Sequence, residues 1–410
     1  VDKSSPGYRA PFNEFYHISQ LLDADFTEVV TPNNDTFYDF LWLDLRSEPI
    51  VVSVPEIPRE RYYAFQLVDM YTHNFGYIGS RATGSSAGKY LIAGPDWRGE
   101  KPAGIKGVFQ SEGQIVFALG RTQVNGEDDG PAVKEIQAQF TATPLSKYLE
   151  QSATSPTPAL DFPPYDEKKA SSADFIGYLN FLLSQLKPDT SEKEMLARFE
   201  KIGIEAGEDF DAEDLDSALR EAIEDGVASA LKKIKGNIPK MGEVKNGWVM
   251  SVGVFGNRKE MRGKYLTRAS AAMIGLYGNT HYEAFYPMCS VDEKGEQLDG
   301  SKNSYVMHFT KENIPAVRAF WSTSLYWLPE KLFVPNRIDR YSIGDRTPGL
   351  RFGRDGSLRV YIQKNAPSGS RRANWLPAPD GPFYLICRLY WPKDKVFLED
   401  CTPPTVRKVR

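Results

Sequence analysis

Histidine and cysteine are scarce in this chain, with 4 and 3 residues among 410. No two of His17, His73, His281 and His308 lie two or four positions apart, so neither an HxH nor an HExxH metal motif occurs. Cys289, Cys387 and Cys401 are odd in number, widely spaced and form no CxxC pair. Free, buried thiols are the expectation, with a single bridge as the alternative. A dominant charge sign is missing too, because 50 basic residues stand against 54 acidic ones for a net charge of -4. Without a domain-scale basic excess to neutralise phosphates, nucleic acid is not the expected partner. No run of about 18 apolar residues occurs, so no membrane span is expected. No GxGxxG opens a helix after a strand and no GxxxxGK[ST] occurs, so no nucleotide cofactor is expected. Nothing in the sequence requires a metal.

Aromatic residues, by contrast, are plentiful at 12%, including 21 Tyr and 7 Trp. That composition suits β-rich modules with aromatic-lined clefts. At 410 residues the chain exceeds one ordinary core, so two or three domains are expected. Phe15, Ile18, Leu21 and Leu22 sit at helical spacing, so residues 1–30 are expected to form a helical lead-in. Short apolar runs then follow at 40–45, 50–54, 62–68 and 114–119, punctuated by Pro and Gly, which is strand grammar. Residues 151–166 carry four prolines and read as a linker. Leucine stripes across 171–235 and a further segment at about 259–277 read as helices, with Lys232-Lys-Ile-Lys-Gly236 as a stop. Strand grammar returns from about 283, at 284–286, 304–309, 319–326, 357–363 and 383–390. The expected architecture is therefore mainly β with a helical insert (α+β). Residues 1–150 form one module, 151–280 the linker and helical segment, and 281–410 a second, jelly-roll-like module.

Several segments could carry chemistry. Gly84-Ser-Ser-Ala-Gly88 fits GxSxG, but it leads into a strand rather than a helix, so a turn is the better reading than a nucleophile elbow. Thr31-Pro-Asn-Asn-Asp-Thr36 packs five polar side chains ahead of an aromatic strand. Turn closure explains part of it, and a ligand-binding rim built from Asn33, Asn34, Thr36 and Tyr38 is the functional reading. Asp35 and Asp69 are candidates for paired carboxylates in acid–base work. His308, mid-strand between Met307 and Phe309, is a third acid–base candidate, although a structural histidine is the commoner case. Gln66, Tyr71 and His73 could line the same cleft, although Gln66 and Asp69 share a strand face only across a bulge. Arg81, Arg121 and Arg340 are candidate anion anchors, although a structural or surface salt bridge is the commoner role of each, and Trp321 and Tyr326 are candidate stacking surfaces.

Taken in order, Asp44-Leu45, Arg61-Tyr-Tyr63, Gln66-Leu-Val-Asp69, Gly79-Ser-Arg81, Gly88-Lys-Tyr90 and Gly94-Pro95 resemble the module known as domain of unknown function 1254. Ala319-Phe-Trp-Ser322, Asn336-Arg-Ile-Asp-Arg-Tyr341, Gly344-Asp-Arg-Thr347, Tyr361-Ile-Gln363, Asn374-Trp-Leu-Pro-Ala-Pro379 and Arg388-Leu-Tyr-Trp-Pro392 resemble its partner, domain of unknown function 1214. The resemblance covers roughly 26–140 and 300–407. It implies two β-sandwich or jelly-roll-like domains bridged by helices, in exported or lipoprotein-anchored forms, and transfers no catalytic residue. One departure is Trp327-Leu-Pro-Glu330, where relatives often carry a small polar turn. The chain begins at Val1 rather than Met, which fits processing or truncation.

The functional expectation is an enzyme, a hydrolase or cofactor-free lyase or isomerase, acting on a small polar or carbohydrate-like molecule in a cleft at the Thr31–Thr36 motif. The alternatives are a non-catalytic binding protein or a structural envelope protein, and assembly into a homo-oligomer is left open.

Overall fold

The computed structural model describes residues 3, 5, 7–397 and 403–409. In the first 150 residues nine strands build two sheets: β1 (Phe15–Ile18), β2 (Thr36–Asp44), β3 (Ile50–Val54), β4 (Tyr63–Asp69), β5 (Asn74–Gly79), β6 (Gly88–Ala93), β7 (Gly107–Gln110), β8 (Ile115–Gln123) and β9 (Thr141–Pro144). The five-stranded sheet runs β1-β2-β8-β4-β5 and the four-stranded sheet β7-β6-β3-β9. Between them lies one apolar core, with Leu41, Leu43, Phe65, Leu67, Val116 and Ala118 from the first sheet meeting Ile50, Val52, Val54, Tyr90 and Ile92 from the second. These residues alternate along their strands, as the two-residue side-chain period of a sheet demands.

The lead-in is not helical. Phe15–Ile18 pairs antiparallel with β2, Tyr16 opposite Phe40 and His17 opposite Asp39. Four apolar residues at spacings of three and one fit a helix stripe or a strand followed by a loop. Pairing with an open sheet edge decides the matter.

The linker leads into a helical insert whose helices Phe175–Ser184, Lys193–Phe199 and Ser217–Asn237 bury Ile176, Leu183, Ile204 and Ile223 in a core of their own. The expected helix near 259–277 is split at Arg262-Gly-Lys264 into Arg258–Met261 and Tyr265–Gly275. Gly263 at the break has φ 72°, which a glycine adopts without penalty.

The second module has strands β10 (Glu243–Lys245), β11 (Trp248–Met250), β12 (Ala284–Phe285), β13 (Met288–Cys289), β14 (Ser304–Phe309), β15 (Trp321–Trp327), β16 (Ser342–Gly344), β17 (Leu358–Gln363), β18 (Trp375–Pro377), β19 (Phe383–Tyr390) and β20 (Val406–Val409). β10 and β11, drawn from the stretch expected to be helix and linker, extend the sheet β10-β11-β13-β19-β15-β16, to which β12 also pairs. A second sheet, β18-β17-β14-β20, completes the sandwich. Trp321, Leu325, Leu385, Cys387 and Leu389 pack there against Tyr305, Met307, Phe309, Val360 and Ile362. The molecule is thus mainly β, two sandwiches with a helical insert. Cys289 and Cys387 are free and buried, and Cys401 lies outside the described residues.

Asn374 shows how a polar motif acts as a fold marker. Its Oδ1 accepts from the Arg351 backbone N–H at 2.8 Å, and its Nδ2 donates to the carbonyls of Arg351 and Arg359 at 2.7 and 2.9 Å. Asn374 is only 5% exposed, so Asn374→Ala leaves three backbone groups without a ready replacement partner. We expect a loss of about 1–3 kcal/mol of unfolding free energy, read by urea titration.

Candidate functional site

The two sandwiches meet face to face, and the meeting faces are polar and aromatic. In the N-terminal sheet Tyr38 lies opposite Arg121, Phe40 opposite Leu119 and Trp42 opposite Phe117, while Gln66 lies opposite Leu119 on the other side of β8. Residues opposite one another share a face, so these side chains occupy the surface turned away from the N-terminal core. In the C-terminal sheet Ser322 lies opposite Arg388, Ser324 opposite Ile386 and Tyr326 opposite Tyr384. All eight residues of β19 are buried, because one face serves its own core and the other the partner module.

Asp35 links the modules. Its carboxylate accepts from the Ser322 hydroxyl at 2.6 Å and pairs with Arg346, which also donates to the carbonyls of Asp35 and Val124. The same motif supplies the Pro32 carbonyl, which accepts from the Tyr326 hydroxyl at 2.6 Å and from Arg388 at 3.3 Å. Thr31, at a positive φ of 58°, hydrogen-bonds Tyr384 through its hydroxyl at 2.7 Å. Asn33 turns inward, with Nδ2 donating to Thr36 at 2.9 Å and to the Tyr38 hydroxyl at 3.0 Å. Asn34 leaves its buried Oδ1 without a protein partner. The Thr31–Thr36 motif is therefore an interdomain clasp, with Asn33 and Thr36 turned towards the aromatic face.

That face forms a wall. Trp42 stacks on Phe117 with centroids 4.5 Å apart, Phe117 meets Phe40 at 5.7 Å and Tyr277 at 4.9 Å, and Phe40 meets Tyr38 at 6.3 Å. Tyr38, Phe40, Trp42, Tyr277 and Tyr286 are all half-buried, so the wall retains accessible surface. Arg121 stands at its inner end, 8% exposed, with its guanidinium carbon 5.6 Å from the Tyr38 ring centroid. Its hydrogen bonds go to the Gln66 side-chain oxygen at 2.8 Å and the Tyr277 carbonyl at 3.5 Å, and among the described residues no carboxylate is its partner. Gln66 in turn donates to Asn74 at 2.8 Å and to the Gly278 carbonyl at 3.0 Å. Burial pushes the Tyr286 hydroxyl above its ordinary pKa, while the charge of Arg121 and a bond from Asn279 pull it back. Arg388 is equally enclosed, donating to Ser324 at 2.8 Å and to the Thr31 and Pro32 carbonyls.

Asp69, Tyr71 and His73 gather elsewhere, on the β4–β5 hairpin. The register between those strands shifts at Leu67/Val68, the irregularity needed to turn Asp69 relative to Gln66. The Asp69 carboxylate accepts from the His73 backbone N–H at 2.9 Å and lies beside its ring. Asp35 and Asp69 share no partner, so the structure does not assemble them as a carboxylate pair. Arg81 pairs with the buried Glu283, which also accepts from the Tyr62 hydroxyl at 2.7 Å. Glu283 is a second interdomain tie that sequence reading missed, since an isolated acid between aromatics has no motif.

The remaining candidates are remote from the wall. His308 lies on β14 opposite Arg359, in the outer C-terminal sheet, with its Nε2 unpartnered. Arg340 donates to the carbonyls of Ala373 and Trp375 at 3.1 and 2.8 Å, tying down the Asn374 loop. Trp321 points into the C-terminal core, as its place opposite the outward pattern of Ser322 and Ser324 requires. Ser86 is exposed on a turn leading straight into β6, without the helix that a nucleophile elbow needs. His17 lies on strand β1 and not on the expected helix. It holds the fully buried Asp39 at 2.6 Å, and Gln137 adds a bond at 3.0 Å.

Paired sandwiches clasped through a buried ionic and aromatic face define a two-module β protein. Residues 12–144 match the model described as protein of unknown function (DUF1254), and residues 283–394 match that described as protein of unknown function (DUF1214). The chain therefore carries both modules, the first in its N-terminal part and the second in its C-terminal part. The crystal structure of the VPA0106 protein from Vibrio parahaemolyticus is similar to it, with 28% identity and a TM-score of 0.78 over 98% of this chain and 92% of that one. An uncharacterised protein from Burkholderia cenocepacia aligns at 12% identity with a TM-score of 0.46, over 95% and 80% of the two chains. No curated protein matches the chain.

Removing one partner of a buried ion pair strands the other, at a cost of about 3–5 kcal/mol. Asp35→Ala is expected to fall in that range in denaturant unfolding. Combining it with Arg346→Met should cost clearly less than the sum of the single changes, the signature of a direct coupling.

Proposed function

We propose that this protein binds a small, ring-bearing polar molecule carrying an anionic group, a carbohydrate-like acid such as a uronate, along the aromatic wall that ends at Arg121. One observation carries the reading: Arg121 is enclosed between the modules without a carboxylate partner, at the inner end of an accessible aromatic surface. An enclosed guanidinium without a counter-ion is costly and presents a bidentate donor fork. Aromatic faces, for their part, accept the apolar face of a sugar or another ring.

The chemistry that fits is cofactor-free proton abstraction beside a carboxylate, as in a lyase or isomerase. Arg121 would neutralise the carboxylate, Tyr38 beside it would take the proton from the adjacent carbon as its phenolate, and the Tyr286 hydroxyl, kept protonated by burial, would return a proton to the leaving oxygen or the carbanion. Hydrolysis is less well supported, because Asp35 and Asp69 are occupied by Ser322 and Arg346 in one case and by His73 in the other. Those same satisfied partners favour a second reading, capture of the ligand without turnover. Export, implied by the family resemblance, would place either activity outside the cytoplasm.

Calorimetric titration with glucuronate, galacturonate and the matching neutral hexoses tests the proposal. We expect the acids to bind and the neutral sugars to bind at least about tenfold more weakly, the value of one charge-assisted contact. Arg121→Gln should abolish that preference, and Trp42→Ala, at a half-exposed position, should weaken all ring ligands while leaving the fold intact. Equal affinity for acids and neutral sugars, or an unchanged Arg121→Gln variant, would sink the idea. Prolonged incubation with a bound uronate oligomer then separates the two readings. New ultraviolet absorbance from an unsaturated uronate marks a lyase, and unaltered ligand marks a binding protein.

A further inference from the structure

We infer that Asp69, His73 and Glu112 form a binding site for one divalent transition-metal ion. One oxygen of Asp69, one ring nitrogen of His73 and one oxygen of Glu112 all lie within 4.8 Å of one another. His73 is 2% exposed, and its Nδ1 has no hydrogen-bond partner although it lies 3.3 Å from Asp69 Oδ2. A buried ring nitrogen is rarely left without a partner. The spacing has a ready explanation, since two donors each about 2.1 Å from one ion at cis or tetrahedral angles lie roughly 3.0–3.5 Å apart.

The surroundings support the same assignment. Asp69 Oδ1 is held by the His73 backbone N–H, which leaves Oδ2 free to turn to an ion. Glu112 is oriented by the Nε of Arg258, whose NH1 also bonds Glu192. Fixing a ligating carboxylate through a neighbouring donor is the usual outer-shell arrangement. The Tyr71 hydroxyl, also buried and unpartnered, is drawn over the same cluster by Arg258, whose guanidinium carbon is 4.8 Å from its ring centroid. Three carboxylates (Asp69, Glu112 and Glu192) face two guanidiniums (Arg258 and Arg268, the latter bound to the Tyr71 carbonyl). The cluster therefore carries one surplus negative charge.

One imidazole with two carboxylates suits zinc, manganese, cobalt or iron rather than calcium or magnesium, which take oxygen alone. Three protein donors leave a position for water. The ion would join the β4–β5 hairpin to the loop before β8, at the edge where Glu192 and Arg258 of the helical insert close over them.

The test uses the whole chain, stripped with a chelator and titrated with Zn²⁺, Mn²⁺ and Co²⁺. We expect one ion per chain for at least one of these metals, a higher Tm on loading, and a visible Co²⁺ spectrum. His73→Asn and Glu112→Gln should each weaken binding by about 10- to 100-fold or more. Glu112 is partly exposed, so its variant keeps the fold, and circular dichroism checks both. Absence of stoichiometric binding by the intact chain, or binding unmoved in both folded variants, would overturn the site.

Discussion

The Asp35 carboxylate holds together what the rest of the structure presupposes. It takes a hydroxyl from Ser322 in one module and a guanidinium from Arg346 beside it, while its own backbone carbonyl accepts from the β8 end through Val124. A charge buried to this extent is tolerable only when every lone pair is used. The two sheets are thereby held in one register, and that register places Arg121 at the end of the aromatic wall instead of in water.

Two sandwiches that merely touched would each need an ordinary soluble outer face. Here β19 carries Tyr384, Ile386, Arg388 and Tyr390 on the face opposite its apolar core, and all are buried. Polar groups enclosed in this way specify one alignment of the modules, because a slip would strand several of them at once. Glu283 repeats the principle on the other flank with Arg81 and Tyr62. The proposed ligand site and the architecture thus draw on the same surface. The groups that hold the modules together also surround Arg121 and Arg388, whose hydrogen bonds go to neutral oxygens.

Much of the strand pattern was legible because its signals are local. Runs such as Ile50–Val54 and Phe383–Tyr390 are rich in β-branched and aromatic residues and are bounded by turn formers. Their edges and exceptions were not legible, because they depend on partners distant in sequence. Phe15–Ile18 carries a helical spacing yet becomes a strand on an open edge, and Glu243–Met250 joins a sheet whose other strands lie far along the chain. Of the candidate residues, Asn33, Asp35, Thr36, Tyr38, Gln66, Arg81 and Tyr326 do gather between the modules, whereas His308 and Arg340 belong to the far side of the second one. Arg121 stood out only as one of several candidate anion anchors and Arg388 only as part of a family pattern, while Glu283 and Glu112 gave no signal at all, since a single charged residue in a strand or loop looks the same whether it ends in solvent or at an interface.

By itself the sequence determined that this is a mainly β chain with two modules of recognisable pattern, and that its Thr31–Thr36 segment is unusually polar for an approach to an aromatic strand. Composition and alternation suffice for that, because they report how much surface each segment must bury. Only the tertiary structure decided what the segment does. It is a clasp and not a rim, because Asp35 finds Ser322 and Arg346 some 300 residues away, at separations of 287 and 311 positions. Contacts of that kind depend on how two finished sheets are laid against each other, and no local pattern records that.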